Sequence, residues 1–218
     1  MAQRIVDLSL ELYDGYPAHP EDVPVQLRGY ATHAKLGFQT TKITFCSHTG
    51  THMDAPFHFL PDGKTIDRLD LQKCVGPAQV IDVTKRAQAG DIRVADLQPY
   101  AGTIGRESRI LLRTDWDRQF NTPRFYNNFP GVSYELAKWL AEREISLVGV
   151  QTFAIHATDY ERVHKTLLGK EIVIVEALAH LDQLRKKRVQ FIALPLRFRG
   201  GDGSPVRAIA IEDDGMIG

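Results

Sequence analysis

The stretch SHTGTHMDAPFHF, Ser47 to Phe59, sets how the rest of the chain must fold. Three of the eight histidines, His48, His52 and His58, fall within eleven residues there, together with Asp54, Gly50 and Pro56. The spacing of His48 and His52 would suit one face of a helix, but Thr49, Gly50, Thr51 and Pro56 all oppose helix. Fully extended, the chain would hold the two histidines ~13 Å apart at ~3.3 Å per residue, so a bend is needed. Gly50 can supply it, because glycine takes left-handed backbone angles freely. Beyond the bend, His52 and Asp54 point the same way from an extended segment, and His58 continues that parity past Pro56. Imidazole and carboxylate converging in this way are the ligands of zinc, manganese or iron, with His58 placed to serve a metal's water. The alternative, surface histidines in a polar loop, does not explain the shared parity with Asp54.

At 218 residues and 43% hydrophobic content, the chain is expected to be one domain, 1–218, with a sizeable core. Lys plus Arg and Asp plus Glu both total 27, so no net field recommends nucleic acid or an anionic membrane, and the expected partner is a small molecule. Two cysteines, Cys46 and Cys74, and no charged-then-apolar leader argue against a disulfide framework and for a cytoplasmic location. Cys46 could be a further ligand, but a buried free thiol on the strand before His48 is the better reading. No apolar run approaches the ~20 residues of a membrane-spanning helix.

Outward from the histidine stretch, Ile5–Leu12, Val25–Ala31 and Phe38–Phe45 read as strands, and Tyr13 to Pro20 as a loop whose aromatics and prolines could roof a pocket. Further strands are expected over Val75–Val83, Arg109–Thr114, Ile145–Val150, Ile172–Val175, Phe191–Leu196 and Val206–Ile211. Val94–Leu97 is a short helical start, and Trp116–Pro130 is an aromatic-rich loop that could line the site. Ser133 caps an expected helix over Tyr134–Arg143, and Leu178, Leu181 and Leu184 suggest another over Ala177–Lys187. Gly200 to Pro205 reads as a hairpin-like connection. Many strands and few helices imply a mixed α/β or α+β domain.

The run His48-Thr49-Gly50-Thr51-His52-Met53-Asp54-Ala55-Pro56-Phe57-His58 resembles the HxGTHxDxPxH signature of the putative cyclase superfamily, which includes bacterial kynurenine formamidase and isatin hydrolase. His164-Lys165-Thr166-Leu167-Leu168 followed by Glu176 looks like the family's second ligand block. Gly203 to Ala208 resembles its closing segment, and Asp7-Leu8-Ser9 its opening. The resemblance implies that His48, His52 and Asp54 bind a first metal, with Asp54 able to bridge to a second held by His164 and Glu176. It implies His58 as general acid/base, zinc or manganese as one or two ions per chain, and hydrolysis of amides or lactams of small aromatic substrates, acting on C–N bonds other than peptide bonds. It further implies a swivelling β/β/α domain with a mixed sheet or barrel-like core, assembled as a homodimer or homotetramer. One departure stands out: where kynurenine formamidases carry an Asp-Thr-x-Ser-x-Asp run, this chain has Gln151-Thr152-Phe153-Ala154-Ile155-His156. That leaves N-formylkynurenine specificity open, with His156 readable as substrate contact, extra ligand or packed histidine.

Two other functions fit the same residues. A metal-dependent cyclase or lyase would use His58 to move a proton on carbon. A non-catalytic metal-binding protein would close the metal with four protein ligands, where a catalytic site keeps a position for water.

Overall fold

The structure, a computed structural model, describes residues 3–17, 19, 22–88 and 90–212. In chain order the elements are β1 (Arg4–Asp7), β2 (Gln26–Ala31), α1 (His33–Leu36), β3 (Thr40–Thr44), β4 (His52–Asp54), β5 (Val75–Asp82), α2 (Val94–Leu97), β6 (Arg109–Arg113), α3 (Tyr134–Glu142), β7 (Leu147–Val150), α4 (Tyr160–Leu168), β8 (Val173–Glu176), β9 (Arg188–Ile192), β10 (Gly203–Pro205) and β11 (Ile209–Glu212). Nine strands form one mixed sheet in the order β1-β11-β9-β5-β6-β7-β8-β4-β10. Strands β5 to β8 run parallel, and the flanking pairs are antiparallel.

Side-chain alternation explains the layers. Ile110, Leu112, Val148, Val150 and Ile174 face α3 and α4, where Leu136, Leu140, Val163 and Leu167 complete one core. The opposite face gathers Val6, Met53, Val80, Leu111, Val175, Phe191 and Ala210 into a second core, drawn from strands at both ends of the sheet as well as its middle. A flat sheet could not bring those residues together, so the sheet curls onto itself as a half-barrel. The turn after β1 draws the curl in: Leu8 donates its backbone N–H to Ala208, and Ala179 donates to Leu8. Because both faces are covered, β7 is buried along its whole length, which is why it reads as an unbroken apolar run.

The Ser133 cap is present, its Oγ accepting from the N–H of Leu136 at 3.2 Å. Trp116–Pro130 is non-regular apart from two 3-10 turns, and Trp116, Phe125 and Phe129 pack there as a small aromatic core. Of the loop expected to roof a pocket, Pro20 lies outside the described residues.

Four expectations need correction or refinement. Ala177–Lys187 is not a helix: the backbone N–H groups of Ala177, Leu178 and Ala179 donate to Thr152, Val150 and Leu8, and Ala177 and His180 have φ of 52° and 58°, leaving only a 3-10 turn over Leu181–Gln183. Residues 200–205 do connect antiparallel β9 and β11, but Gly203–Pro205 within them is itself a strand that pairs with β4. The strand expected over Phe38–Phe45 is present as β3, but in a separate two-stranded sheet with β2, whose Tyr30 and Ile43 are exposed. Cys46 lies past the end of that strand and is half-buried, whereas Cys74 is the buried thiol, pushed up to about 11 by burial; both are free. Among the described residues no helix is long and apolar enough to cross a membrane.

Candidate metal centre

Gly50 makes the expected bend, with φ of 67°. Beyond it β4 presents His52 and Asp54 to one side, while Met53 enters the core on the other. Cross-strand register then sets Glu176 of β8 opposite His52, and Gly203 of β10 opposite Asp54. His164 comes from α4, an element absent from the sequence-based expectations although Asp159 and Gly169 bracket it. His58 lies on the 3-10 turn Pro56–His58, its ring stacked on His48 at 3.9 Å. All six predicted residues thus meet.

The hydrogen bonds fix which atoms face inward. A carbonyl can only accept, so His52 Nδ1–H donates to Gly50 O at 2.8 Å and His164 Nδ1–H donates to Tyr160 O at 2.7 Å. Each ring therefore turns Nε2 into the site, where in the neutral form it carries a lone pair. What it meets is carboxylate oxygen: His52 Nε2 stands 3.4 Å from Asp54 and 3.3 Å from Glu176, and His164 Nε2 stands 3.3 Å from each. Acceptors facing acceptors in a buried space repel unless a proton or a cation lies among them. Asp54 Oδ2 is buried without a hydrogen-bond partner, and the backbone N–H of Ile155 holds Glu176 at 2.6 Å.

Without a cation, protons take that place. Burial would lower the pKa of His52 and His164, but the contacts with Asp54 and Glu176 outweigh it and raise both to about 10. For His48, burial is likewise outweighed by hydrogen bonds to Asp202 and Asp54, each 2.9 Å, and its pKa rises to about 9. Burial alone would raise Asp54 and Glu176, yet the surrounding imidazoles hold both below the ordinary carboxylate range. A divalent cation fits the same donor set. Ligand atoms of His52, Asp54 and Glu176 lie within 4.8 Å of one another, as do those of His48, Asp54 and His58. Ligands on bonds of ~2.1 Å at a tetrahedral angle stand ~3.4 Å apart, the spacing of the four imidazole-to-carboxylate contacts made by His52 and His164.

Over this cluster lies a cavity of about 400 Å³ whose walls include Phe59, Tyr126, Phe129, Phe153 and Tyr160. His19 stacks flat on Phe153 at 5.3 Å. His156 also lines the cavity, but its Nδ1 accepts the backbone N–H groups of Thr158 and Asp159, and its Nε2 stands 3.4 Å from Asp91. Those contacts make it a packed histidine that organises the start of α4. Gln151 is structural too: its Oε1 accepts from Thr114 and Asp115, and its Nε2 donates to Asp117. The segment that departs from the formamidase pattern therefore reaches Glu176 through backbone, at Ile155, which tolerates the change of side chains. One residue escaped the sequence reading altogether. Asp202 touches His48 and lies 3.8 Å from His58, and its only sequence signal was a place in the glycine-rich GGDGSP run.

A family model described as Putative cyclase matches residues 6–157. The chain belongs to the Cyclase family. Within that family it is 35% identical over 211 residues to a kynurenine formamidase of Bacillus cytotoxicus, covering 95% of this chain and 97% of the relative. An isatin hydrolase structure with the product analogue thioisatinate superposes with a TM-score of 0.88 at 25% identity, over 97% of this chain and 93% of the other. A structure described as a potential metal-dependent hydrolase with cyclase activity gives 0.82 at 26% identity, over 98% and 100% of the two chains. The mixed α/β architecture with its curled sheet is thus the cyclase-family fold.

Proposed function

We propose that this cyclase-family chain is a metal-dependent hydrolase of a small amide or lactam, acting on a C–N bond other than a peptide bond. The observation that carries this reading is the set of lone pairs and carboxylates turned toward one another at the floor of an aromatic cavity. His52, Asp54 and Glu176 would hold one ion, with His164 against both carboxylates, while His48 and Asp54, with His58 beside them, face a second position. A cation held there supplies a Lewis acid that polarises the amide carbonyl and acidifies water toward a pKa of ~7. His58 supplies the proton chemistry: burial, helped by the charges of His48 and His164, lowers its pKa to about 4, so at neutral pH it is a free base. It accepts a proton from the attacking water and returns it to the leaving nitrogen. Phe59, Tyr126, Phe129 and Phe153 suit a flat aromatic substrate and exclude bulk water. The kinship with kynurenine formamidase and isatin hydrolase supports the same substrate class.

Protein loaded with zinc or manganese is expected to turn over at least one of N-formylkynurenine, isatin or a simple lactam, and to place one labelled water oxygen in the product carboxylate. Metal content per chain tells which ion, and how many, accompany turnover. Failure on all three substrates with metal bound overturns the reading, and turnover without label replaces hydrolysis by proton transfer on carbon. Homodimeric or homotetrameric assembly belongs to the same proposal. The exposed apolar side chains of the β2–β3 arm, Tyr30, Phe38 and Ile43 among them, support it, and light scattering is expected to read at least twice the chain mass.

A further inference from the structure

We infer that Asp202 is the positioning residue of His48, aiming its Nδ1 into the metal centre; this rests on the metal reading above, but not on which substrate is cleaved. The three inward-facing imidazoles are anchored in different ways. His52 is tied to a carbonyl two residues away and His164 to one four residues away, both within their own local structure. His48 sits on a turn rather than in a strand or helix, and its anchor is the Asp202 carboxylate, 154 residues on. Of the three, only His48 depends on a distant contact for its aim. His48 Nε2 lies 2.9 Å from Asp202 Oδ2 and Nδ1 lies 2.9 Å from Asp54 Oδ1, so a cation taking the proton's place at Nδ1 would leave Nε2–H to donate to Asp202. That arrangement, carboxylate to histidine to metal, fixes both tautomer and ring angle.

The surroundings hold Asp202 for this task. Its Oδ1 accepts from Ser47 Oγ at 3.0 Å, and its backbone carbonyl accepts from the N–H of Ala55 at 2.9 Å. On one side of it Gly201 O accepts from Ile66, and on the other Gly203 pairs with Asp54. A Cβ at Gly203 would lie 2.6 Å from His48 Cε1, so only glycine lets β10 come close enough to bring the carboxylate against the ring. The same oxygen stands 3.8 Å from His58 Nδ1, and the rings of His48 and His58 stack. One carboxylate therefore borders both a ligand and the proposed base. The Asp202 side chain is 42% exposed, so shortening it opens no buried cavity.

The test compares Asp202→Ala with Asp202→Asn, which keeps an acceptor oxygen. Metal affinity is measured by competition with a chromophoric chelator, and the ring nitrogens of His48 are followed by NMR in both the metal-free and the zinc-loaded protein. Asp202→Ala is expected to bind metal about 10- to 100-fold more weakly and to lose the Nε2–H signature of His48. Asp202→Asn is expected to recover most of the affinity and the signature. Unchanged affinity with an unchanged His48 spectrum in Asp202→Ala overturns the assignment. Wild-type protein that binds metal but cleaves no amide counts against the proposed reaction alone. Wild-type protein that binds no metal overturns both proposals.

Discussion

Asp54→Asn is expected to abolish turnover and to weaken metal binding by at least ~100-fold, above the loss expected of an outer partner such as Asp202. The reason is position. Asp54 Oδ1 faces His48 at 2.9 Å and His52 at 3.4 Å, while Oδ2 faces His164 at 3.3 Å, so one carboxylate contacts three imidazoles and belongs to both candidate metal groups. Asparagine preserves volume and shape, which separates the loss of charge from the opening of a cavity. A second effect follows in the metal-free protein, where Asp54 is the shared counter-charge of three imidazolium rings. Removing one partner of a buried ion pair costs about 3–5 kcal/mol, and here the lower end applies because the rings can shed their protons. The pH dependence fixes the sign. The pKa values of His48, His52 and His164 are raised from 6.5 to between about 9 and about 10, so their contribution to stability is full below pH 6.5 and is lost as pH climbs through that range. Denaturant midpoints of chelator-treated wild type are therefore expected to fall between pH 7 and pH 10, with the wild-type and Asp54→Asn curves converging at the alkaline end. Equal midpoints at pH 7, or metal retained by Asp54→Asn, would remove Asp54 from the centre of the cluster.

Much of this site is legible in thirteen residues because the constraints there are local. Gly50 must bend, β4 must alternate, and Asp54 must follow His52 onto the same face. The strands β5, β6, β7 and β11 are equally plain, since burial on one or both faces leaves apolar runs or alternation in the sequence. What the sequence hides is decided by partners far along the chain. Leu178, Leu181 and Leu184 have helical spacing, yet Ala177 to Ala179 give their N–H groups to three other segments, and that tertiary claim defeats the periodicity. The converse holds for α4, a helix of nine residues whose buried Val163, His164, Leu167 and Leu168 form a narrow stripe on an otherwise polar segment. Asp202 was invisible for a third reason: a carboxylate among glycines looks like a turn until β10 pairs with β4 and carries it to His48.

His58→Ala is expected to lower kcat by ~10²- to 10⁴-fold, the usual range for a positioned general acid/base, while metal content stays unchanged. The pH profile gives the sharper outcome. Burial is the main cause of the depressed pKa of His58, and a bound cation would act in the same direction as the neighbouring imidazolium charges. The ring is then fully basic from about pH 5 upward, so wild-type kcat/KM should be level between pH 5 and pH 7 and should fall as pH drops through about 4. In His58→Ala the residual activity should not show that acidic limb. Metal content must be followed over the same range, because protonation of the ligands also expels the ion at low pH. Loss of metal in His58→Ala at pH 7 would make His58 a ligand, in keeping with its place beside His48 and Asp54. Unchanged activity with metal retained would take the ring out of the reaction and leave the proton transfer to another group facing the cavity.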